Sequence, residues 1–260
     1  MVDGLERRRL SCQAYGPVLV LSIDRPEVRN AIDLATARAI EAEIDRFEAD
    51  GNLRVAIITG SATVFSAGAD LKAAAREGVL PRGERRGWFG LLEQLPAKPV
   101  IAAVEGLALG GGLEIALACD LIVASRTSAF GLPEVRRGVI ASAGGLFRLP
   151  QRLPRNLAME MVLTGEPWPA ERLQALGLIN HLCEPGQALT QARALAERIA
   201  QQAPLSVQAS VTVVRTCAGR GDEAGWALQA PSIEALRRSA DYRESVDAFA
   251  RGRQPVWRGC

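Results

Sequence analysis

The sequence predicts an α/β protein. Short apolar runs alternate with stretches of helical period through the first 150 residues, and two of the runs lead directly into glycine-containing turns. Composition agrees with this reading: 260 residues with 48% hydrophobic and 23% charged content can fill one large core, or one core and a small appendage.

The elements follow in order. Residues 18–23 (Val-Leu-Val-Leu-Ser-Ile) read as a strand that ends at Arg25-Pro26. A helix comes next, with Asp33 as its cap, an apolar stripe of Ala37, Ile40, Ile44 and Phe47, and a stop at Asp50-Gly51. Residues 55–59 form a short strand of the kind packed on both faces. Residues 73–90 break the rhythm: Gly78, Pro81, Gly83 and Gly87 among several charges predict a mobile surface excursion. The alternation resumes with a strand at 100–104, a helix after Gly111 and a strand at 121–124. Beyond Pro150 helices dominate, at 156–164, 169–176, 188–202, 205–217 and 241–251. The third of these sets Leu189, Ala192, Leu195 and Ile199 on one face, and the last sets Tyr242, Val246 and Phe249 on another.

Charge and cysteine usage exclude several classes. Of 31 basic residues only Lys72 and Lys98 are lysines, and the arginines are scattered among acids. That bias fits a GC-rich genome and offers no stripe for nucleic acid. Five widely spaced cysteines and the single His181 suggest neither a disulfide framework nor a metal centre, so a reducing cytoplasm is expected. His181 itself reads as a strand-end residue. The charged stretch from Met1 to Ser11 has no apolar segment of the secretory type. Residues 100–124 are almost wholly apolar, yet Glu105, Glu114 and Asp120 argue against a membrane span.

The chemistry lies in two turns and two acids. Phe65-Ser66-Ala67-Gly68-Ala69-Asp70-Leu71-Lys72 is the first turn, and the triplet Gly110-Gly111-Gly112 is the second. Glycine lets a backbone approach a ligand, and amides at a helix start point outward, so two such turns can converge on one developing oxyanion. Glu114 sits in the apolar run Leu113-Glu114-Ile115-Ala116-Leu117, where an unpartnered carboxylate would be costly and would have a raised pKa. Glu134 follows Pro133 and could equally be a first-turn acid facing Arg136 and Arg137. There is no G-x-S-x-G elbow, no P-loop and no G-x-G-x-x-G between strand and helix.

At these residues the chain closely resembles the enoyl-CoA hydratase/isomerase (crotonase) superfamily. The matching segments are Asp24-Arg25-Pro26, Arg29-Asn30-Ala31, 65–72, Lys98-Pro99-Val100-Ile101-Ala102, 106–120, 130–138, Ala143-Gly144-Gly145, Leu163-Thr164-Gly165 and Gly177-Leu178-Ile179. The resemblance implies a crotonase-like spiral of ββα units over residues 1–195, carrying an acyl-CoA site. It also implies a helical C-terminal region over 196–260 that assembles a homotrimer or homohexamer.

For the site, the resemblance implies backbone amides of Ala69 and Gly111 around the thioester oxygen, with Glu114 and Glu134 as the catalytic acids. Glu114 would deprotonate a water attacking Cβ of a 2-enoyl-CoA, and Glu134 would deliver a proton to Cα. Arg29 and Lys72 match positions that meet the nucleotide phosphates, with Ala67, Asp70 and Leu71 beside them. Phe249 and Arg253, with Arg251, resemble a segment that reaches a neighbour's adenine, although a solvated helix end reads equally well. Coenzyme A is then part of the substrate, and neither metal, bound cofactor, nucleic acid nor membrane is expected. Many hydratases carry Pro-Gly-Ala-Gly-Gly where this chain has Ala141-Ser142-Ala143-Gly144-Gly145, so Ser142 adds a hydroxyl near the acyl group. Three activities stay open: a hydratase of 2-enoyl-CoA, a dehydratase or isomerase of a polar acyl-CoA such as the carnitinyl-CoA dehydratase branch, and an acyl-CoA- or partner-binding member with little catalysis.

Overall fold

A computed structural model of the chain describes residues 9–217 and 222–260, so the charged stretch through Arg8 lies outside the described residues. Strands β1 (Leu10–Tyr15) and β2 (Val18–Ile23) form an antiparallel hairpin, and helix α1 (Leu34–Ala49) crosses to β3 (Val55–Thr59). Then come β4 (Val64–Ser66), α2 (Leu71–Glu77), β5 (Val100–Val104), β6 (Leu107–Leu109), α3 (Gly111–Ala118), β7 (Leu121–Ser125) and β8 (Ala129–Gly131). The chain continues through α4 (Gly145–Arg152), α5 (Arg155–Thr164), β9 (Trp168–Pro169), α6 (Ala170–Ala175) and β10 (His181–Cys183). It ends in α7 (Ala188–Ala200), α8 (Pro204–Cys217), α9 (Asp222–Arg238) and α10 (Ala240–Ala250).

Each turn of the chain lays one strand in each of two sheets. β3, β5 and β7 enter a sheet ordered β1-β2-β3-β5-β7-β10, while β4, β6 and β8 enter a smaller one ordered β4-β6-β8-β9. Within each sheet these strands run parallel, which is what a spiral of ββα units requires. The all-buried β3 shows why its residues are uniformly apolar: Ala56 and Ile58 face the main core, Val55 and Ile57 the layer beneath α7.

The face of α7 differs from the expected stripe. Ala188, Ala192, Ala196 and Ala200 are the buried positions, with Leu189, Leu195 and Ile199 only flanking them. Alanines four apart let the helix backbone settle close onto the sheet, where larger side chains would hold it off. Because this helix runs unbroken from 188 to 200, a boundary between residues 195 and 196 falls inside an element that belongs to the sheet.

The acids of the apolar 100–124 run each have a partner. Glu105 accepts the Ala188 N–H at the start of α7 at 2.9 Å, and Asp120 accepts the Val100 N–H and pairs with Arg215 at 2.6 Å. No helix among the described residues is long and apolar enough to cross a membrane.

The excursion at 73–90 is anchored, contrary to the mobility its glycines suggested. It opens with α2 and then lies against α1, where the Glu41 carboxylate accepts the N–H groups of Glu84, Arg85 and Arg86 at 2.8, 2.8 and 2.6 Å. Arg86 is 2% exposed, paired with Asp45 and Glu48 and donating to the Gln94 carbonyl. A buried guanidinium with three acceptors fixes the loop more firmly than its glycines loosen it.

Candidate active site

The first motif turn is held from behind by residues 25–33. Asn30, with φ +53°, accepts the Arg25 N–H and donates to the Val64 carbonyl, and Ser66 Oγ donates to the Asn30 carbonyl. Ile32 and Ala69 form a parallel bridge through Ile32 N–H to Gly68 O and Asp70 N–H to Ile32 O. Two helix starts share one cation. Asp33 caps α1 by accepting the Thr36 N–H, as expected, and Asp70 caps α2 by accepting the Ala73 N–H. Arg25 pairs with both carboxylates, at 3.0 and 3.1 Å.

The glycine triplet meets this turn backbone to backbone. Gly110 adopts φ +56° and ψ −125°, a conformation open essentially to glycine alone. A Cβ on Gly68 would lie 2.5 Å from the Gly111 nitrogen, and one on Gly111 would lie 2.3 Å from the Phe89 ring. Among the described residues, neither Ala69 N–H nor Gly111 N–H is engaged in a turn, cap or side-chain hydrogen bond. Two free amides, one at the first residue of α3 with the helix dipole behind it, are thereby brought side by side.

The acids lie next to them. Glu114, 3% exposed, accepts the Ala143 and Gly145 N–H groups on a single oxygen, Oε1, at 2.7 and 2.9 Å. Burial pushes its pKa up, against the two amides and the Arg148 guanidinium, which pull it down. Glu134 sits in the 3-10 turn of residues 133–137, with Oε1 3.0 Å from where a Gly110 Cβ would be. Its Oε2 is buried without a hydrogen-bond partner among the described residues. Burial, aided by the Glu114 charge, pushes its pKa up to about 7. A carboxyl near neutrality with an unpaired oxygen, beside a second carboxyl and two free amides, can move protons where negative charge develops.

The other expected positions separate into groups. Arg29, Leu71 and Lys72 are exposed around the first motif, Ala67 is half-buried, and Ser142 is exposed on the loop that holds Glu114. Asp70 is turned into the protein by its cap and its ion pair. Past the end of α10, Arg253 forks back onto Glu244 and Asp247 of that helix, and Phe249 is 90% exposed, as part of an open Tyr242–Val246–Phe249 stripe. His181 begins β10 and is exposed. The sequence reading missed Phe89 and Arg148; only the adjacency of Phe89 to a glycine in a loop, and of Arg148 to a glycine pair, marked them.

An α/β spiral with this pairing of amides and acids places the chain in one family. It belongs to the enoyl-CoA hydratase/isomerase family, whose model matches residues 13–260. Among curated relatives, carnitinyl-CoA dehydratase of Salmonella arizonae is 42% identical over 252 residues, covering 94% of this chain and 96% of the relative. Among solved structures, enoyl-CoA hydratase from Mycobacterium tuberculosis is similar with a TM-score of 0.92 and 44% identity, covering 97% of this chain and 99% of that one. Carnitinyl-CoA hydratase from Mycobacterium avium is similar with a TM-score of 0.77 and 42% identity, covering 98% and 100%.

Proposed function

We propose that this chain is a hydro-lyase of the enoyl-CoA hydratase type, adding water reversibly to a 2-enoyl-CoA thioester to give a 3-hydroxyacyl-CoA. The observation that carries this reading is the retained pair of acids, Glu114 buried and Glu134 half-buried, the second with an unpartnered buried oxygen and a pKa pushed up to about 7. The thioester oxygen binds between the Ala69 and Gly111 amides, which stabilise the enolate as it forms. Both cradle amides take Oε1 of Glu114, so the proton from the attacking water goes to Oε2. Glu134 delivers the second proton to Cα, a task suited to a carboxyl poised near neutral pH. No metal or redox group takes part on this reading, and coenzyme A arrives with the substrate.

The exposed cations Arg29 and Lys72 suit the nucleotide phosphates, with Ala67 and Leu71 along the acyl arm. Asp70 acts there by capping the helix that carries Lys72. The open stripe of Tyr242, Val246 and Phe249 supports assembly into a homotrimer or homohexamer, with Phe249 and the Arg253 segment at a neighbouring subunit. The cysteines, all unpaired among the described residues, support a cytoplasmic location. A second reading, a dehydratase of a polar acyl-CoA, is favoured by the exposed Ser142 hydroxyl one residue before the Ala143 amide that holds Glu114.

The test follows loss of the conjugated enoyl thioester by ultraviolet absorbance over short, long and polar acyl-CoAs. Wild type should turn over at least one of them, and Glu114→Gln should lower kcat by about 100-fold or more with the fold intact. Full hydratase activity in Glu114→Gln sinks the reading. Binding of acyl-CoA with no turnover of any substrate would make the chain a binding member instead.

A further inference from the structure

The Gly144-Gly145 pair makes room for two different groups. A Cβ at position 145 would lie 3.1 Å from Oε1 of Glu114, and one at position 144 would lie 2.3 Å from Nη1 of Arg148. Gly144 also has φ +108°, which an L side chain rarely adopts. Arg148 stands one turn into α4, and its guanidinium folds back over the helix start. Nη1 donates to the Ala143 carbonyl at 3.2 Å and Nη2 to the Leu92 carbonyl at 2.6 Å.

Those two carbonyls belong to two separate segments. The Ala143 peptide donates its N–H to Glu114, so Arg148 grips the cradle of that carboxylate from behind. Leu92 follows the loop whose Phe89 ring abuts Gly111, and Phe89 itself is 2% exposed with φ +54°. At that loop's other edge stand Glu41 and Arg86. One planar fork therefore spans the base and the backing of the second oxyanion amide.

We propose that Arg148 is a positioning residue that locks the Glu114 cradle to the Phe89 loop, fixing the base relative to the Gly111 amide and placing a positive charge beside it. The inference rests on the hydratase reading above. Glu114 is faced by Arg148 from α4 and by Glu134 from the 133–137 turn; Arg148 is faced in turn by Arg152 and the Cys119 thiol, and Glu134 by Arg137.

Two substitutions separate the fork from the charge. Arg148→Met removes both, and should lower kcat about 10- to 100-fold with KM changed less than about threefold. It should also move the acid limb of kcat up by about half a pH unit or more, because Glu114 loses the cation that favours its ionised form. Arg148→Lys keeps a charge but cannot bridge both carbonyls in one plane, so kcat should fall while the acid limb stays in place. A purely structural role would not move the limb in one variant and spare it in the other. Wild-type kcat and an unmoved limb in folded Arg148→Met overturn the proposal, and should that variant not fold, wild-type kcat in Arg148→Lys does the same. If Glu114→Gln is dead while the Arg148 variants behave as wild type, only this inference fails; if Glu114→Gln is fully active, the hydratase reading has failed first.

Discussion

Replacing Glu134 by glutamine should make the protein's stability less sensitive to pH between about 4.5 and 7. The carboxyl is pushed from 4.5 up to about 7, first by burial and then by the charge of Glu114, with Arg137 opposing. Between those values the folded chain holds a proton that the unfolded chain has released, so the wild type loses stability as pH rises and keeps that loss above 7. A displacement of one pH unit corresponds to about 1.4 kcal/mol, which bounds the effect at about 3 kcal/mol. Solvent screening at this half-buried position reduces it to about 1–2 kcal/mol. Glutamine has no proton to lose, so the gain from Glu134→Gln over wild type should be about 1–2 kcal/mol larger at pH 8 than at pH 4.5. Urea unfolding of both proteins at the two pH values and one protein concentration reads this difference directly. A difference between the two proteins that is the same at both pH values would refute the reasoning, because it would mean that Glu134 ionises as freely in the fold as out of it.

Glu41→Ala leaves the N–H groups of Glu84, Arg85 and Arg86 without their acceptor. It should cost about 2–4 kcal/mol in urea unfolding and open residues 80–90 to limited proteolysis, and an unchanged midpoint with no new cleavage would contradict the anchoring described. In a thiol titration of the native protein, exposed Cys260 should react first, while Cys119 and Cys183, buried and with thiols pushed up to about 12 and 11, should react only after urea is added. Fast native labelling of Cys119 would contradict its placement.

How much of this was legible in the sequence depends on the reach of the interactions. Strands β2, β3, β5 and β7 and helix α1 could be placed from period and punctuation, because their cores and caps are local; Asp33 caps α1 where expected. β1 alternates too weakly to stand out: none of its residues is fully buried, and its place in the sheet comes from pairing with β2. Pro231 and Gly225 obscured α9. That Glu114 is buried could be read from its apolar neighbours, but not that its partners are amides 29 and 31 residues further on. The loop before Gly90 misled for the same reason. Glu41 reads as one more polar residue on α1, and nothing local says that a segment over 40 residues away will close on it.

The contact between Gly68 and Gly111 has a consequence for how such a site can change. No side chain stands between the Gly68 and Gly111 backbones, so the span from the Ala69 amide to the Gly111 amide is a main-chain dimension, set by the close approach of two peptide units. Rotamers do not enter it. On the proposed hydratase reading, mutation at Ala67, Leu71 or Ser142 would therefore reshape what flanks the thioester while the gauge for its oxygen stayed constant, letting one scaffold drift between acyl groups without losing the chemistry common to them all.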